Sequence, residues 1–198
     1  MRIRLMAVCC VLGMLPLAIT AQTGAGAAGA ETGKAASPSK AFDGELSLIE
    51  REMMSAVKAM PSEKFGFAPK AEIFVPGQKT EFATVRTFAQ QAAHVAQVNY
   101  SLYSAASGLK PEADVAGIEK LTNKEDVVAA LAGSFAFGHR AIATMTSANA
   151  FELVKSPELR MPTRATVVAF GIAHGFDHYG QMVEYLRMNG IVPPASAR

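Results

Sequence analysis

Residues 171–185 read GIAHGFDHYGQMVEY, and this stretch decides how the rest of the chain is interpreted. An α-helix has about 3.6 residues per turn, so residues three or four apart lie on the same face. This spacing is that of the seam of a helical bundle, and it places five residues on one face: Gly171, His174, His178, Gln181 and Tyr185. The stretch therefore predicts a long helix whose two histidines lie one turn apart and face the interior of a bundle.

Apolar residues recur with helical spacing in three further segments. The four predicted helices span residues 43–60, 80–107, 123–149 and 162–190. No stretch alternates apolar and polar residues for long enough to predict a strand. Residues 61–79, rich in proline and glycine with apolar residues between, are expected to form a loop over one end of the bundle. The pattern predicts an all-α protein, a four-helix bundle with one long connection between its first two helices.

The N-terminal region has the features of an export signal. Arg2 and Arg4 form a basic start, an apolar run follows from Leu5 to Thr20, and Ala21 ends the segment. A membrane anchor is the alternative, but the run is shorter than the ~20 apolar residues that span a bilayer. The sequence predicts a cleaved signal peptide over residues 1–21 and a flexible linker over 22–41. The folded domain is expected over residues 42–198, exported to the periplasm or secreted, with no stable membrane anchor after cleavage.

Charge and cysteine usage exclude two kinds of function. The chain of 198 residues has a formal net charge of +2. Removal of the leader with Arg2 and Arg4 leaves equal numbers of positive and negative residues. A near-neutral protein is not expected to bind nucleic acid through a general basic surface. Cys9 and Cys10 both lie in the leader, so the mature protein has no disulfide and no cysteine-ligated metal.

The histidines are the candidate functional residues. His174 and His178 can reach one point, and His94 in the second predicted helix could supply a third imidazole from a facing helix. Three neutral imidazoles suit zinc, nickel or another borderline divalent metal, and leave a position open for water or substrate. The spacing alone also allows buried histidines that only pack and form hydrogen bonds. His139, at the edge of an apolar stripe, is assigned no ligand role.

Residues near the histidines exclude two common metal motifs. Gly175 follows His174, so the H-E-x-x-H sequence of zinc proteases is missing. No Glu-x-x-His sequence occurs, which excludes the common di-iron carboxylate bundle. Asp177 could orient a ligand ring through its second nitrogen, or could be a solvated helix residue. Gln181, Tyr179 and Tyr185 could line the mouth of the site, although Tyr185 fits core packing better.

Several segments together resemble the DinB/YfiT-like superfamily. They cover about residues 42–195 and are FGFAP (65–69), TFAQQAAHVA (87–96), HGFDHYGQ (174–181), YLR (185–187) and GIVPP (190–194). The resemblance implies a four-helix bundle, a divalent metal held by His94, His174 and His178, and frequent homodimers. Characterised relatives include transferases and isomerases that use low-molecular-weight thiols, and some hydrolases.

The sequence and the resemblance together predict an exported metal-binding protein. The expected activity is that of a metal-dependent hydrolase or transferase acting on a small molecule, with no catalytic residue assigned beyond the metal ligands. The alternative is a non-catalytic helical bundle that binds a metal or a ligand. Homodimerisation is also expected, because one helix and its exit carry apolar residues beyond the needs of one interior seam: Phe135, Phe137, Met145 and Phe151.

Overall fold

Four long helices build the domain. The computed structural model describes residues 33–156 and 159–197, and residues 35–198 form one unit. The helices are α1 (Pro38–Ala59), α2 (Phe88–Ser107), the one-turn α3 (Val115–Ile118), α4 (Lys124–Ala143) and α5 (Arg164–Met188). Three short 3-10 helices span Ser62–Lys64, Ala71–Ile73 and Pro194–Ser196.

The long helices contact one another in a fixed order. Both α1 and α2 pack against α4 and α5, so the order around the bundle is α1, α4, α2, α5. Within the described residues, β-pairing is confined to an isolated bridge between Leu153 and Thr163. The predicted all-α four-helix bundle is confirmed. None of the helices in the described part of the chain is long and apolar enough to cross a membrane.

The first helix begins earlier than predicted. Ser37 caps α1, since its Oγ accepts a hydrogen bond from the backbone N–H of Lys40 at 3.3 Å. Pro38 fits the first turn, where a helix needs no N–H from that residue. The predicted N-cap Asp43 therefore lies inside the helix, and residues 38–41, predicted as linker, are helical. The predicted signal peptide over residues 1–21 lies outside the described residues.

Side-chain caps also set the starts of α2 and α5. Thr87 and Gln90 form a reciprocal capping box, so α2 begins at Phe88 and not near residue 80. Thr163 caps α5 in the same way, which places its start at Arg164, just after the predicted Pro162. Asn123 caps α4 as predicted.

The third predicted helix ends early, and one short helix was not predicted. Helix α4 ends at Ala143 and not near Asn149. Asn149 instead accepts a hydrogen bond from the Thr146 backbone N–H at 2.8 Å, which closes a turn where the last helical turn was expected. Asp114 caps the one-turn α3.

The connection between α1 and α2 closes one end of the bundle. The Phe65 and Phe67 carbonyls accept hydrogen bonds from the backbone N–H groups of Ala89 and Phe88, at 2.9 Å and 2.8 Å. These donors belong to the first turn of α2 and have no partner inside the helix. Phe65 is buried and meets the Phe88 ring edge-on, with centroids 5.4 Å apart. The loop is thus tied to the start of α2, as its apolar residues predicted.

The core contains a tyrosine at a point of close helix approach. Tyr103 of α2 is fully buried, and its ring lies against Gly138 of α4 and Gly171 of α5. A Cβ at Gly138 would lie 2.8 Å from Tyr103 Cε2 and 3.0 Å from Leu46 Cδ2. Glycine at position 138 therefore leaves the space that the Tyr103 ring fills.

Three of the four residues on which the homodimer prediction was based are buried within the chain. Phe135, Phe137 and Met145 are at most 4% exposed, whereas Phe151 is 77% exposed. All three belong to the core of a single chain, since α4 packs against both α1 and α2 and Met145 follows its last turn. Of these four residues, only Phe151 exposes an apolar side chain that a dimer interface could bury.

We expect Gly138→Ala to lower the free energy of unfolding by about 1–3 kcal/mol, the usual cost of forcing atoms into a packed core. Gly44→Ala is the matched control, because Gly44 also lies within a helix but a Cβ there meets nothing within 4 Å. Alanine has the higher helix propensity, so this control is expected to gain about 0.5–1 kcal/mol. Urea unfolding of both variants measures the difference. Equal effects would contradict the packing described for Tyr103.

Candidate metal centre

The packing of α2 against α5 brings three histidines together. His94 lies on α2, and His174 and His178 lie one turn apart on α5. Each offers one ring nitrogen, and the three nitrogens lie within 4.8 Å of one another. The sequence placed these three residues in one site, and the structure brings them together. In the described part of the chain, this is the one group of three or more side chains with metal-ligand geometry.

The Nε2 atoms converge on a single point. His174 Nε2 lies 3.3 Å from His94 Nε2 and 3.1 Å from His178 Nε2. A neutral imidazole carries one proton on its two nitrogens, so each ring that has its proton on Nδ1 presents a lone pair to this point. Lone pairs that face one another at such distances repel, and a shared cation removes the repulsion. The donor set therefore fits a divalent metal ion.

All three rings are neutral at neutral pH. Burial lowers the pKa of each to about 4, with smaller contributions from the neighbouring imidazoles and from the positive charge of Arg86. The negative charge of Asp177 opposes this effect at His174 and His178. The neutral imidazole is the form that binds a metal. The three imidazoles are therefore already in the form that binds a metal, and binding does not have to displace a proton from a charged ring.

A chain of hydrogen bonds fixes the orientation of His178. His178 Nδ1 lies 2.5 Å from Gln91 Oε1. Gln91 Nε2 donates to Gln181 Oε1 at 2.9 Å, and Gln181 Nε2 donates to Asp177 Oδ2 at 3.1 Å. The chain thus runs from the His178 ring through two amides to one carboxylate.

The carboxylate sets the direction of the whole chain. Asp177 in its ionised form only accepts hydrogen bonds, so Gln181 must present its amide N–H to Asp177 and its oxygen to Gln91. Gln91 must then present its oxygen to His178, whose Nδ1 is therefore protonated. The Nε2 of His178 is left as a lone pair aimed at the convergence point. Partners of this kind fix the tautomer of metal-bound histidines in proteins.

Asp177 is exposed, which agrees with the solvated helix residue that was one of its two predicted roles. It also accepts a hydrogen bond from Gln181, whose partner Gln91 had been assigned no role from the sequence. Gln91 is 3% exposed. The available signal was its position three residues before His94, on the face of α2 that carries the core.

Two tyrosines near the site have structural contacts. Tyr185 is buried, packs against Phe67, and donates its hydroxyl to the Arg86 carbonyl at 3.1 Å. Core packing was the better prediction for it. Tyr179 donates to Glu52 on α1 at 3.5 Å, so its hydroxyl is directed toward α1.

His139 lies between α4 and α1, outside the cluster. Its Nδ1 lies 2.6 Å from Asp43 Oδ1 and its Nε2 lies 3.0 Å from Glu50 Oε2. Both partners are carboxylates that only accept, so both ring nitrogens must carry protons. Partial burial by itself lowers the pKa of His139, but the hydrogen bonds to the two carboxylates outweigh it and raise the pKa. His139 is thus a charged residue that links two helices, and it lies outside the group formed by His94, His174 and His178.

Comparison with known proteins agrees with this architecture. The family model of the DinB superfamily matches residues 45–182, well over half of the chain. The chain belongs to the DinB superfamily. A crystal structure of a DinB-like protein from Bacillus cereus ATCC 10987 is similar to this DinB domain, with a TM-score of 0.62 and 15% identity. The alignment covers 78% of this chain and 95% of that one. At that identity the likeness shows the fold alone, and the curated proteins contain no match.

The His139 contacts predict a pH-dependent contribution to stability. Because the folded-state pKa is raised above the ordinary value of about 6.5, the contribution is fully present below pH ~6.5 and is lost as pH rises through the folded pKa. We expect the difference in unfolding free energy between wild type and His139→Gln to be larger at pH 6 than at pH 9. Its size should stay under about 1 kcal/mol, since the partners are partly exposed.

Chemical denaturation at both pH values measures this difference. The control is the Asp43→Asn, Glu50→Gln background, in which His139 has no carboxylate partner and the same substitution should show less pH dependence. A difference that is the same at pH 6 and pH 9 in the wild-type background would contradict the charged state assigned to His139.

Proposed function

We propose that this DinB-superfamily protein binds one divalent metal ion through His94, His174 and His178, and that it acts as a metal-dependent hydrolase or transferase on a small molecule. The observation that carries the proposal is the convergence of three Nε2 atoms on one point between α2 and α5. Three neutral nitrogen donors favour zinc or nickel over the hard cations magnesium and calcium, which prefer oxygen ligands.

One buried nitrogen of the cluster lacks a hydrogen-bond partner. His174 Nδ1 is buried and has no hydrogen-bond partner among the described residues. In a site built only for packing, a buried ring nitrogen without a partner is an uncompensated cost. Ligation at Nε2 would offset this cost with a strong bond at the other end of the same ring.

His94, His174 and His178 would hold the divalent ion of the proposed activity. When bound, the ion would supply Lewis-acid chemistry that lowers the pKa of a water or thiol. The chain itself supplies geometry: Gln91 holds the His178 ring, and burial keeps all three ligands neutral.

A non-catalytic metal- or ligand-binding bundle is the second candidate function. One observation favours it: within the described residues, the side chain outside the cluster that hydrogen-bonds to a ring is Gln91, and no carboxylate is hydrogen-bonded to any of the three rings. General acid–base catalysis needs a titratable group within hydrogen-bond reach of the reacting atoms. Turnover by the zinc-loaded wild-type chain that the His174→Ala variant lacks would favour the enzyme.

We expect the purified wild-type chain to bind one Zn²⁺ and to gain thermal stability from it, about 2.7 kcal/mol when free zinc is 100-fold above Kd. Replacing any one of His94, His174 or His178 by alanine should weaken binding by more than about 100-fold, because the loss of an outer hydrogen bond alone costs 10–100-fold. His139→Ala should bind as wild type does. Calorimetric titration with zinc, with elemental analysis, measures all of these.

The zinc titration of a Gln91→Leu variant tests the hydrogen-bond chain that holds His178. It removes the acceptor of His178 Nδ1 and keeps a similar volume, so we expect zinc affinity to fall by about 10–100-fold. Gln78→Leu is the control, since Gln78 is exposed in the connection between α1 and α2 and takes no part in this hydrogen-bond chain. If wild type binds no divalent ion, or if His139→Ala loses zinc while His94→Ala retains it, the proposed ligand set is wrong.

Export and pairing belong to the same proposal. The basic start and apolar run of residues 1–21 support export to the periplasm or beyond, and we expect a mature N-terminus near Gln22. Mass spectrometry of the protein from its native host measures that terminus, and an intact Met1 in membrane fractions would contradict it.

A homodimer is supported only by exposed apolar side chains around the turn after α4, Phe151, Leu153 and Met161.

A further inference from the structure

A polar cavity of about 190 Å³ opens next to His94. One side of it is a face of α2 that carries Gln90, His94 and Gln97. Arg86, just before the N-cap of α2, and Glu119, at the C-terminal end of α3, line it as well. The cavity is therefore lined by one side chain of the histidine cluster, one positive group, one negative group and two amides.

Three other arginines near the helices have polar partners for the guanidinium, and a fourth, Arg140, lies 5.6 Å from the centroid of the Phe137 ring. Arg51 pairs with Glu52, Arg164 binds Glu152 and the Ala106 carbonyl, and the Arg187 side chain donates to Ser196. The Arg86 guanidinium has no hydrogen bond or ion pair within the described residues.

The backbone of Arg86 is held in place although its side chain is free. Tyr185 of α5 donates to the Arg86 carbonyl at 3.1 Å. The next residue, Thr87, is fixed by the capping box of α2. The segment thus presents a free guanidinium from a fixed position at the edge of the cavity.

Arg86 and His94 line the same cavity, so the positive charge of Arg86 lies near the histidine cluster. The same charge would repel a metal cation bound by the rings. An anion placed between the guanidinium and the metal would interact favourably with both, and guanidinium forms paired hydrogen bonds with carboxylates and phosphates.

We propose that the cavity lined by Arg86, His94 and Glu119 is an oxyanion subsite, in which Arg86 binds the carboxylate or phosphate of a small-molecule ligand next to the metal centre. The hydrogen-bond-donating or cationic end of that ligand lies toward Glu119, because a second anionic group there would be repelled. This subsite specifies the substrate class of the proposed function as a small anionic or zwitterionic compound. It rests on the proposed function for the presence of the metal ion.

Anion titration of the purified, zinc-saturated chain tests the subsite. The probes are acetate for a carboxylate and inorganic phosphate for a phosphate, each followed by calorimetry and by amide NMR shifts. We expect Arg86→Gln to bind the preferred anion at least ~10-fold more weakly, the loss that one charge-assisted hydrogen bond accounts for. Arg86→Lys keeps the charge without the planar fork and should be intermediate. The probe with the tighter binding identifies the ligand group.

Two further variants make the result specific. Arg51→Gln removes another exposed arginine away from the cavity, and its anion affinity should equal that of wild type. Glu119→Gln removes the negative group at the cavity edge and should bind both anions more tightly. In the absence of anions, Arg86→Gln should bind zinc more tightly than wild type, because a positive neighbour is gone.

The outcomes separate the subsite from the metal proposal. If wild type binds neither anion, or if Arg86→Gln binds both as wild type does, the subsite is overturned even when zinc binding is intact. If wild type binds no zinc, the metal proposal fails, and the anion affinities of wild type and Arg86→Gln are then compared without zinc. Weaker anion binding by Arg86→Gln than by wild type would support the subsite, and equal binding would overturn it.

Discussion

The close packing of α2 against α5 positions every side chain of the candidate metal centre. Imidazole side chains are short, so rings from two helices share a point only where those helices touch. The Gln91–Gln181 hydrogen bond joins the helices at the level of the rings, and the Tyr185–Arg86 bond joins them at the start of α2. On the other side of α5, Gly175 allows α1 to approach, since a Cβ there would lie 3.0 Å from Ile49 Cγ1. Gly175, whose presence rules out the H-E-x-x-H motif, thus also allows the close packing of α1 against α5.

The electrostatics of the centre follow from this packing. Burial between two helices makes a charged imidazole costly, so the rings stay neutral and become good ligands. Placing a free Arg86 beside them adds a positive charge, which by itself opposes a metal cation. The two features become compatible when an anionic ligand lies between the cation and the guanidinium. The same arrangement that weakens binding of a bare metal ion would then favour a metal ion together with an anionic ligand, as proposed for the cavity next to His94.

Helical periodicity predicted the bundle because each long helix buries one apolar face. The helix ends were predicted less well, since they depend on single hydrogen bonds. Thr87 with Gln90 had the spacing of a capping box in the sequence, whereas the cap at Ser37 lay in a stretch whose composition indicated a linker. The His174–His178 pair was visible from spacing, and His94 was matched through the family resemblance. Gln91 was not found, because a glutamine on a helix is usually solvated and its partner depends on the register of α2 against α5.

His178 and His139 show how one residue type takes two charge states in a single bundle. His178 meets an amide oxygen on one nitrogen and other imidazoles on the second, and burial then lowers its pKa to about 4. His139 meets a carboxylate on each nitrogen, and these contacts raise its pKa. A neutral ring with one free lone pair can bind a metal, whereas a ring with both nitrogens protonated has no lone pair to offer. The partners on the facing helix, and not the histidine or its apolar helix face, therefore decide which residue can act as a ligand.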